Sequence, residues 1–204
     1  MPDIPPIRTS RQSLRAEQVA QTRAALVRAG RRLFGEKGFK DTSVEDLASE
    51  ARVTTGALYH HFPTKSDVFE AVFEQAHTEL MAASAEAAHG ADGAEDLAQG
   101  IDAFLDGILQ SDVQRILVID GPAVLGLARF TELDERYAFA AIVETLRSAS
   151  AAGALRVEDP ETFTRLLLGA LTRGAMLVAN SDDPVSTRHA VAKAMRALLS
   201  SLTP

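Results

Sequence analysis

The 204-residue chain contains no cysteine, which removes disulfide frameworks and thiolate chemistry and fits a reducing, cytoplasmic setting. No stretch alternates apolar and polar residues long enough to make a strand, so an all-α protein is expected. Met1 to Ser13 has two adjacent prolines and three charges but no apolar run. That argues against a signal peptide or membrane anchor there, and it predicts a flexible, weakly basic arm over residues 1–13, with no membrane partner. Enzymatic signatures are missing too. There is no phosphate-cradling glycine loop, no serine in a Gly-x-Ser-x-Gly turn, and no histidine pair at i, i+4 with a carboxylate partner. His60 and His61 are adjacent, so on a helix they point to different sides and do not suit a metal ion. The expectation is therefore a non-enzyme, with no catalytic residue, cofactor or metal.

Of the residues present, 46% are apolar, enough to bury a real core. The net charge of −7 is unevenly spread: residues 1–65 carry +4 and residues 66–204 carry −11. A basic end on an acidic body suits a nucleic-acid-reading head joined to a second domain.

The stretch Thr42 to Lys65, TSVEDLASEARVTTGALYHHFPTK, has the outline of a helix-turn-helix. Thr42 and Glu45 are spaced as a capping box. Val44, Leu47, Ala48 and Ala51 then fall on one helical stripe. The chain turns through Glu50 to Val53, with Val53 as a plug, and Thr54 caps a second helix. In that helix Ala57, Leu58 and His61 or Phe62 can face inward, leaving Thr55, Gly56, Tyr59 and His60 outside. Small groups there allow close entry into a major groove, and hydroxyls and an imidazole reach base edges or phosphates. A first helix from about Leu14 to Glu36 places Leu26, Ala29 and Leu33 along one side. Gly38 ends it in a left-handed turn, with Phe39 folding back.

Gly38-Phe39, Thr42 to Leu47-Ala48, and Val53-Thr54-Thr55-Gly56-Ala57-Leu58-Tyr59-His60-His61-Phe62 with Lys65 resemble the N-terminal signature of the TetR family of transcriptional regulators. The likeness covers residues 18 to 72 closely. One departure is Arg52, where the family usually has glycine; if the turn needs φ > 0, arginine is strained there. The resemblance implies Thr55, Gly56, Ala57, Tyr59 and His60 at or near bases and phosphates, and Thr42, Ser43, Thr54, His61 and Lys65 as backbone contacts. It divides the chain into the arm, a helix-turn-helix domain over 14–65, and a ligand-binding and dimerisation body over 66–204.

The body reads as helices throughout. A long one from Lys65 links head and body. Others are expected at 94–110, 113–120 (stopped by Gly121-Pro122), from near Thr131 to Gly153, with Gly126 a candidate break before it and Glu132, Asp134 and Glu135 favouring its start, and at 160–180 and 184–202, the last two opened by Asp159-Pro160 and Asp183-Pro184. The final two are the expected contact between two copies: Phe163, Leu167, Ala170, Leu171, Gly174 and Val178 on one, and Val191, Ala194, Met195 and Leu198 on the other. The resemblance implies a small-molecule pocket, for which the candidates are Phe73, His77, Met81, Phe104, Asp120, Phe130 and Tyr137. The expectation is a homodimeric repressor that binds a pseudo-palindromic double-stranded operator and is released by a small-molecule effector. An activator of the same fold is an alternative, as is an all-α ligand-binding or enzymatic body whose head binds protein.

Overall fold

The computed structural model describes residues 8–88 and 93–203, and among these it contains helices and no strand. Contacts divide the chain into a head unit ending at Val72 and a body unit beginning at Phe73. That division lies seven residues beyond the expected one, because the fourth helix supplies Val68, Phe69 and Val72 to the head's core.

In the head, α1 spans Arg8–Lys37, α2 Val44–Glu50 and α3 Thr55–His61, and α4 begins at Lys65 and runs to Ala87. Residues 8–13, expected to belong to a flexible arm, are the start of α1, and residues 1–7 lie outside the described residues. Leu26, Ala29, Leu33 and Phe34 are buried along α1. Gly38 takes φ 84° and its N–H donates to the Phe34 carbonyl, so Phe39 folds back between Phe34 (5.8 Å) and Phe69 (5.3 Å). Glycine is needed for a different reason at Gly30. A Cβ there would lie 2.8 Å from Val72 and 3.3 Å from Val68, so α1 and α4 pack at a distance only hydrogen allows.

The turn between α2 and α3 takes the strained form that its sequence foreshadows. Arg52 has φ 58°, and no other non-glycine among the described residues has positive φ. Its N–H donates to the Ser49 carbonyl, and Val53 N–H closes the turn onto Ala48. An L-residue pays about 1–2 kcal/mol for this conformation, against the smaller entropic cost of glycine in the unfolded chain. Arg52→Gly is therefore expected to stabilise the head by about 0.5–1 kcal/mol, read as a rise in the urea midpoint.

The body unit contains the rest of α4, then α5 Ala94–Ile108, the single turn α6 Ser111–Val113, a π-helical segment Gln114–Asp120, α7 Gly121–Leu125, α8 Leu127–Ala151, α9 Pro160–Ala179 and α10 Pro184–Ser200. Its core joins α5, α8, α9 and α10 through Leu97, Ile101, Leu105, Leu146, Leu167, Leu171, Met195 and Leu199. Arg188 of α10 ties to α5 through Asp102 (3.1 Å) and Asp106 (2.8 Å). Gly121-Pro122 does not stop the helix as expected. Pro122 sits in the first turn of α7, where its missing N–H is harmless, and the break falls instead at Gly126, with φ 76° and ψ 156°. Helix α8 accordingly starts at Leu127, not near Thr131.

The starts of α9 and α10 follow the expected device. Asp159 accepts from Thr162 N–H and Asp183 from Ser186 N–H, each at 3.1 Å and just before a proline. In the head, Asp46 accepts from Ser43 N–H at 3.1 Å. These bonds favour the ionised forms. Asp46 is lowered mainly by the Ser43 N–H and then its hydroxyl, Asp159 by the Thr162 side chain and N–H, and Asp183 by the Ser186 side chain and N–H. A carboxylate lowered on folding contributes stability above its unfolded pKa, and that contribution is lost as pH falls through the folded value. The thermal midpoint should thus hold from neutrality down to the ordinary carboxylate range and fall below it. Asp159→Asn with Asp183→Asn should flatten that fall.

Candidate DNA-facing surface and body cavity

Each half of the helix-turn-helix carries its own cap. Thr54 Oγ1 accepts from Ala57 N–H at 3.1 Å and starts α3. The cap of α2 is Ser43, not Thr42. Ser43 Oγ accepts from Asp46 N–H at 3.0 Å and Asp46 returns the bond, so the box is one residue later than Thr42 and Glu45. Thr42 is buried, its hydroxyl directed at the carbonyls of Gly38 (2.8 Å) and Leu33 (3.3 Å). It ties the end of α1 to the start of α2 and offers nothing to a phosphate.

Leu58 and Phe62 anchor α3 from below, both buried, and the Arg23 guanidinium lies 4.9 Å over the Phe62 ring. Opposite them, Thr55, Gly56, Tyr59 and His60 are all exposed, with Ala57 and His61 half-buried at the flanks. A Cβ on Gly56 would have only Thr54 Oγ1 within 4 Å, at 3.8 Å. Nothing inside the fold requires glycine there.

Lys65 has a role inside the head beside the backbone contact expected of it. Its ammonium donates to the carbonyls of Phe39 and Thr42, both at 2.9 Å, and sits 4.2 Å over the Phe39 ring. The charge holds the α1–α2 loop onto the start of α4. Lys65→Ala should therefore cost the head about 2 kcal/mol, the scale of losing charge-assisted hydrogen bonds, visible as a lower urea midpoint before any effect on nucleic acid.

The body encloses a cavity of about 470 Å³ bounded by α4, α5, α8 and α9. Of the expected lining residues, Met81, Phe104 and Tyr137 border it. Phe73, His77 and Phe130 border instead a small void of about 30 Å³, which shares Phe104, Asp134 and Thr172 with the cavity. Asp120 borders neither. It ends the π-helical segment, whose wider turn defeats counting at about 3.6 residues.

Sequence reasoning included His77 and Tyr137 but missed Asp134 and Thr172. Asp134 reads as a helix-start residue, yet its Oδ1 lies 3.2 Å from His77 Nε2 and its Oδ2 accepts from Thr172 Oγ1 at 3.1 Å. His77 is buried, stacked on Phe73 at 5.9 Å and tilted against Tyr137 at 5.4 Å. The one available signal was Thr172, a hydroxyl beyond the apolar run Leu166 to Leu171 of its helix. Among the described residues no three His, Asp or Glu side chains converge as metal ligands, and no helix is long and apolar enough to cross a membrane.

The residues expected between two copies separate into two sets. Leu167, Leu171 and Met195 belong to the chain's own core, as do the buried Val178 and Gly174, whose Cβ position lies 2.7 Å from Val191 of α10. The close approach at Gly174 is thus between α9 and α10 of one chain. Phe163, Ala170 and Val191 are half-buried and Ala194 is exposed. Leu166 (68%), Leu177 (47%) and Leu198 (51%) stand in solvent.

Comparison with known proteins matches both units. Residues 26–72 fit the model of the bacterial regulatory proteins of the tetR family, and residues 94–202 fit a tetracyclin repressor-like C-terminal domain. A crystal structure of a TetR-family transcriptional regulator from Pectobacterium atrosepticum is 30% identical, with a TM-score of 0.83, covering 92% of this chain and 96% of that one. The structure of RolR in complex with resorcinol is similar at 22% identity and a TM-score of 0.72, covering 90% and 89%. The Transposon Tn10 TetC protein of Escherichia coli is 24% identical over 153 residues, 75% of this chain and 78% of its own length. Three further curated regulators match over 59 to 64 residues, under a third of their length, whereas the regulator UidR of Escherichia coli is 23% identical over 190 residues, 87% of this chain and 91% of its own length.

Proposed function

Because this chain belongs to the TetR family of helix-turn-helix transcriptional regulators, we propose that it is a homodimeric repressor whose α3 reads a pseudo-palindromic operator and whose body cavity takes the releasing effector. The observation that carries the operator reading is the outward set Thr55, Gly56, Tyr59 and His60 on a helix anchored by Leu58 and Phe62. Ala57, Ser43, Thr54 and His61 flank it as further contacts. A single seven-residue helix reads too few bases to specify a site. Two copies about 34 Å apart read two half-sites. The exposed leucines of α9 and α10 supply an apolar face for such pairing.

The cavity supports the effector reading by size and lining, since pockets for small ligands are concave and mostly apolar with a few placed polar groups. RolR, of the same fold, holds a small aromatic diol. Helix α4 contributes residues to both units, so an effector that favours one placement of α4 would change how the heads meet DNA. That requires tighter effector binding to the released form than to the operator-bound form.

The test is selection of bound sequences from a random DNA pool by the purified protein at near-physiological salt. An enriched inverted repeat, with affinity falling steeply as salt rises, is the expected result. A folded protein that enriches nothing would overturn the reading. Loss of the gene should raise transcripts beside the recovered operator, and lowered transcripts would mark an activator.

A further inference from the structure

If the body cavity is the effector site, as proposed above, its lining restricts the class of molecule it admits. Among the described residues the charged side chains bordering it are Asp96 and Asp134, and none of them is a Lys, Arg or His. The hydroxyls of Ser84, Thr145 and Thr172 add acceptors only, and the Tyr137 phenol is the remaining side-chain donor among the described lining residues. Ser84 donates its proton to the Leu80 carbonyl (2.9 Å), Thr145 to that of Ala141 (3.0 Å), and Thr172 to Leu168 (3.0 Å) or Asp134 (3.1 Å). An anion entering here would lose hydration and meet two carboxylates and mostly lone pairs, with the Tyr137 phenol as the one side-chain donor among the described lining residues.

Asp134 is the best-placed acceptor. His77 and Thr172 hold its two oxygens from different sides, and a carboxylate has about four acceptor sites, so a third donor can be taken without breaking either bond. The pole around Asp134 offers carboxylate lone pairs, and much of the remaining wall is apolar, with Met81, Ile101, Ile142 and Leu168 among its residues.

We infer that the effector is an apolar molecule carrying a hydrogen-bond donor, a phenolic hydroxyl or an ammonium group, which it delivers to Asp134, and that organic acids are rejected. Four probes of one shape separate the possibilities: 4-propylphenol, 4-propylbenzylamine, 4-propylanisole and 4-propylbenzoate, titrated calorimetrically into the full chain. The phenol or the benzylamine, or both, should bind at least about tenfold more tightly than the anisole, the factor expected for one hydrogen bond to a charged group, and the benzoate should not bind. Asp134→Asn should abolish that preference. Ala141→Phe, at an exposed position that borders the cavity, should block all binding and leave the fold intact. Benzoate binding as tightly as phenol would overturn the inference, as would silence from all four probes or binding that persists in Ala141→Phe. The effector reading fails separately: a phenol or amine that binds without lowering operator affinity removes that role and leaves the ligand class standing. Operator release by the benzoate does the reverse.

Discussion

Leu166→Glu combined with Leu198→Glu is expected to give a folded monomer whose operator affinity is lower by at least about 100-fold. Both leucines stand in solvent within one chain, at 68% and 51% exposure, so glutamate there costs the isolated fold little. In a face pressed against its copy, the same two charges would be buried without partners, which costs several kcal/mol. The loss in DNA binding follows from halving the recognition surface, since each tenfold is only about 1.4 kcal/mol and a second half-site is worth several such factors. Sedimentation velocity would give the mass, circular dichroism the retained helix and melting point, and fluorescence anisotropy the operator affinity. A double variant that remains dimeric would place the contact elsewhere. Leu171→Glu is the wrong probe, because Leu171 belongs to the core and its replacement would unfold the chain.

That contrast marks what the sequence could and could not reveal. Helix α9 has apolar residues around most of its circumference, so composition identified it as doubly covered. It did not say which stripe belongs to the chain's own core. The answer depends on the register against α5 and α10, set by features such as Val191 seated at Gly174, which no local pattern encodes. The head was far more legible, because its signals are local. Gly38 and the N-cap at Thr54 each act within a few residues, as do the Asp-Pro pairs that start two helices of the body. Even there, Thr42 and Ser43 are adjacent hydroxyls with an acid three residues beyond each, and only packing decides which one caps. Lys65 reads as a phosphate contact in one dimension and as a clamp on two carbonyls in three. The cavity was least legible, since Asp134, His77 and Thr172 lie 57 and 38 residues apart along the chain.

Glycine provides the sharpest separation of fold from recognition, through one substitution made at two places. At Gly30 a methyl group would meet Val72 at 2.8 Å and Phe34 at 3.2 Å. Overpacking of this kind costs about 1–3 kcal/mol, so Gly30→Ala should lower the melting point and affect DNA binding only through lost folded protein. At Gly56 the position is open, with nothing nearer than 3.8 Å, and alanine in a helix is favoured over glycine by about 1 kcal/mol. Gly56→Ala should therefore raise the melting point by about 2–4 °C. If α3 enters a major groove by this face, the added methyl occupies space that the nucleic acid must fill, and operator affinity should fall at least about tenfold, one misfit of roughly 1.4 kcal/mol. A protein made more stable and less able to bind can be explained only by a partner pressed against that surface. Unchanged affinity in Gly56→Ala, with the expected gain in stability, would turn the reading face away from Gly56 and toward the flank carrying Ser43 and His61.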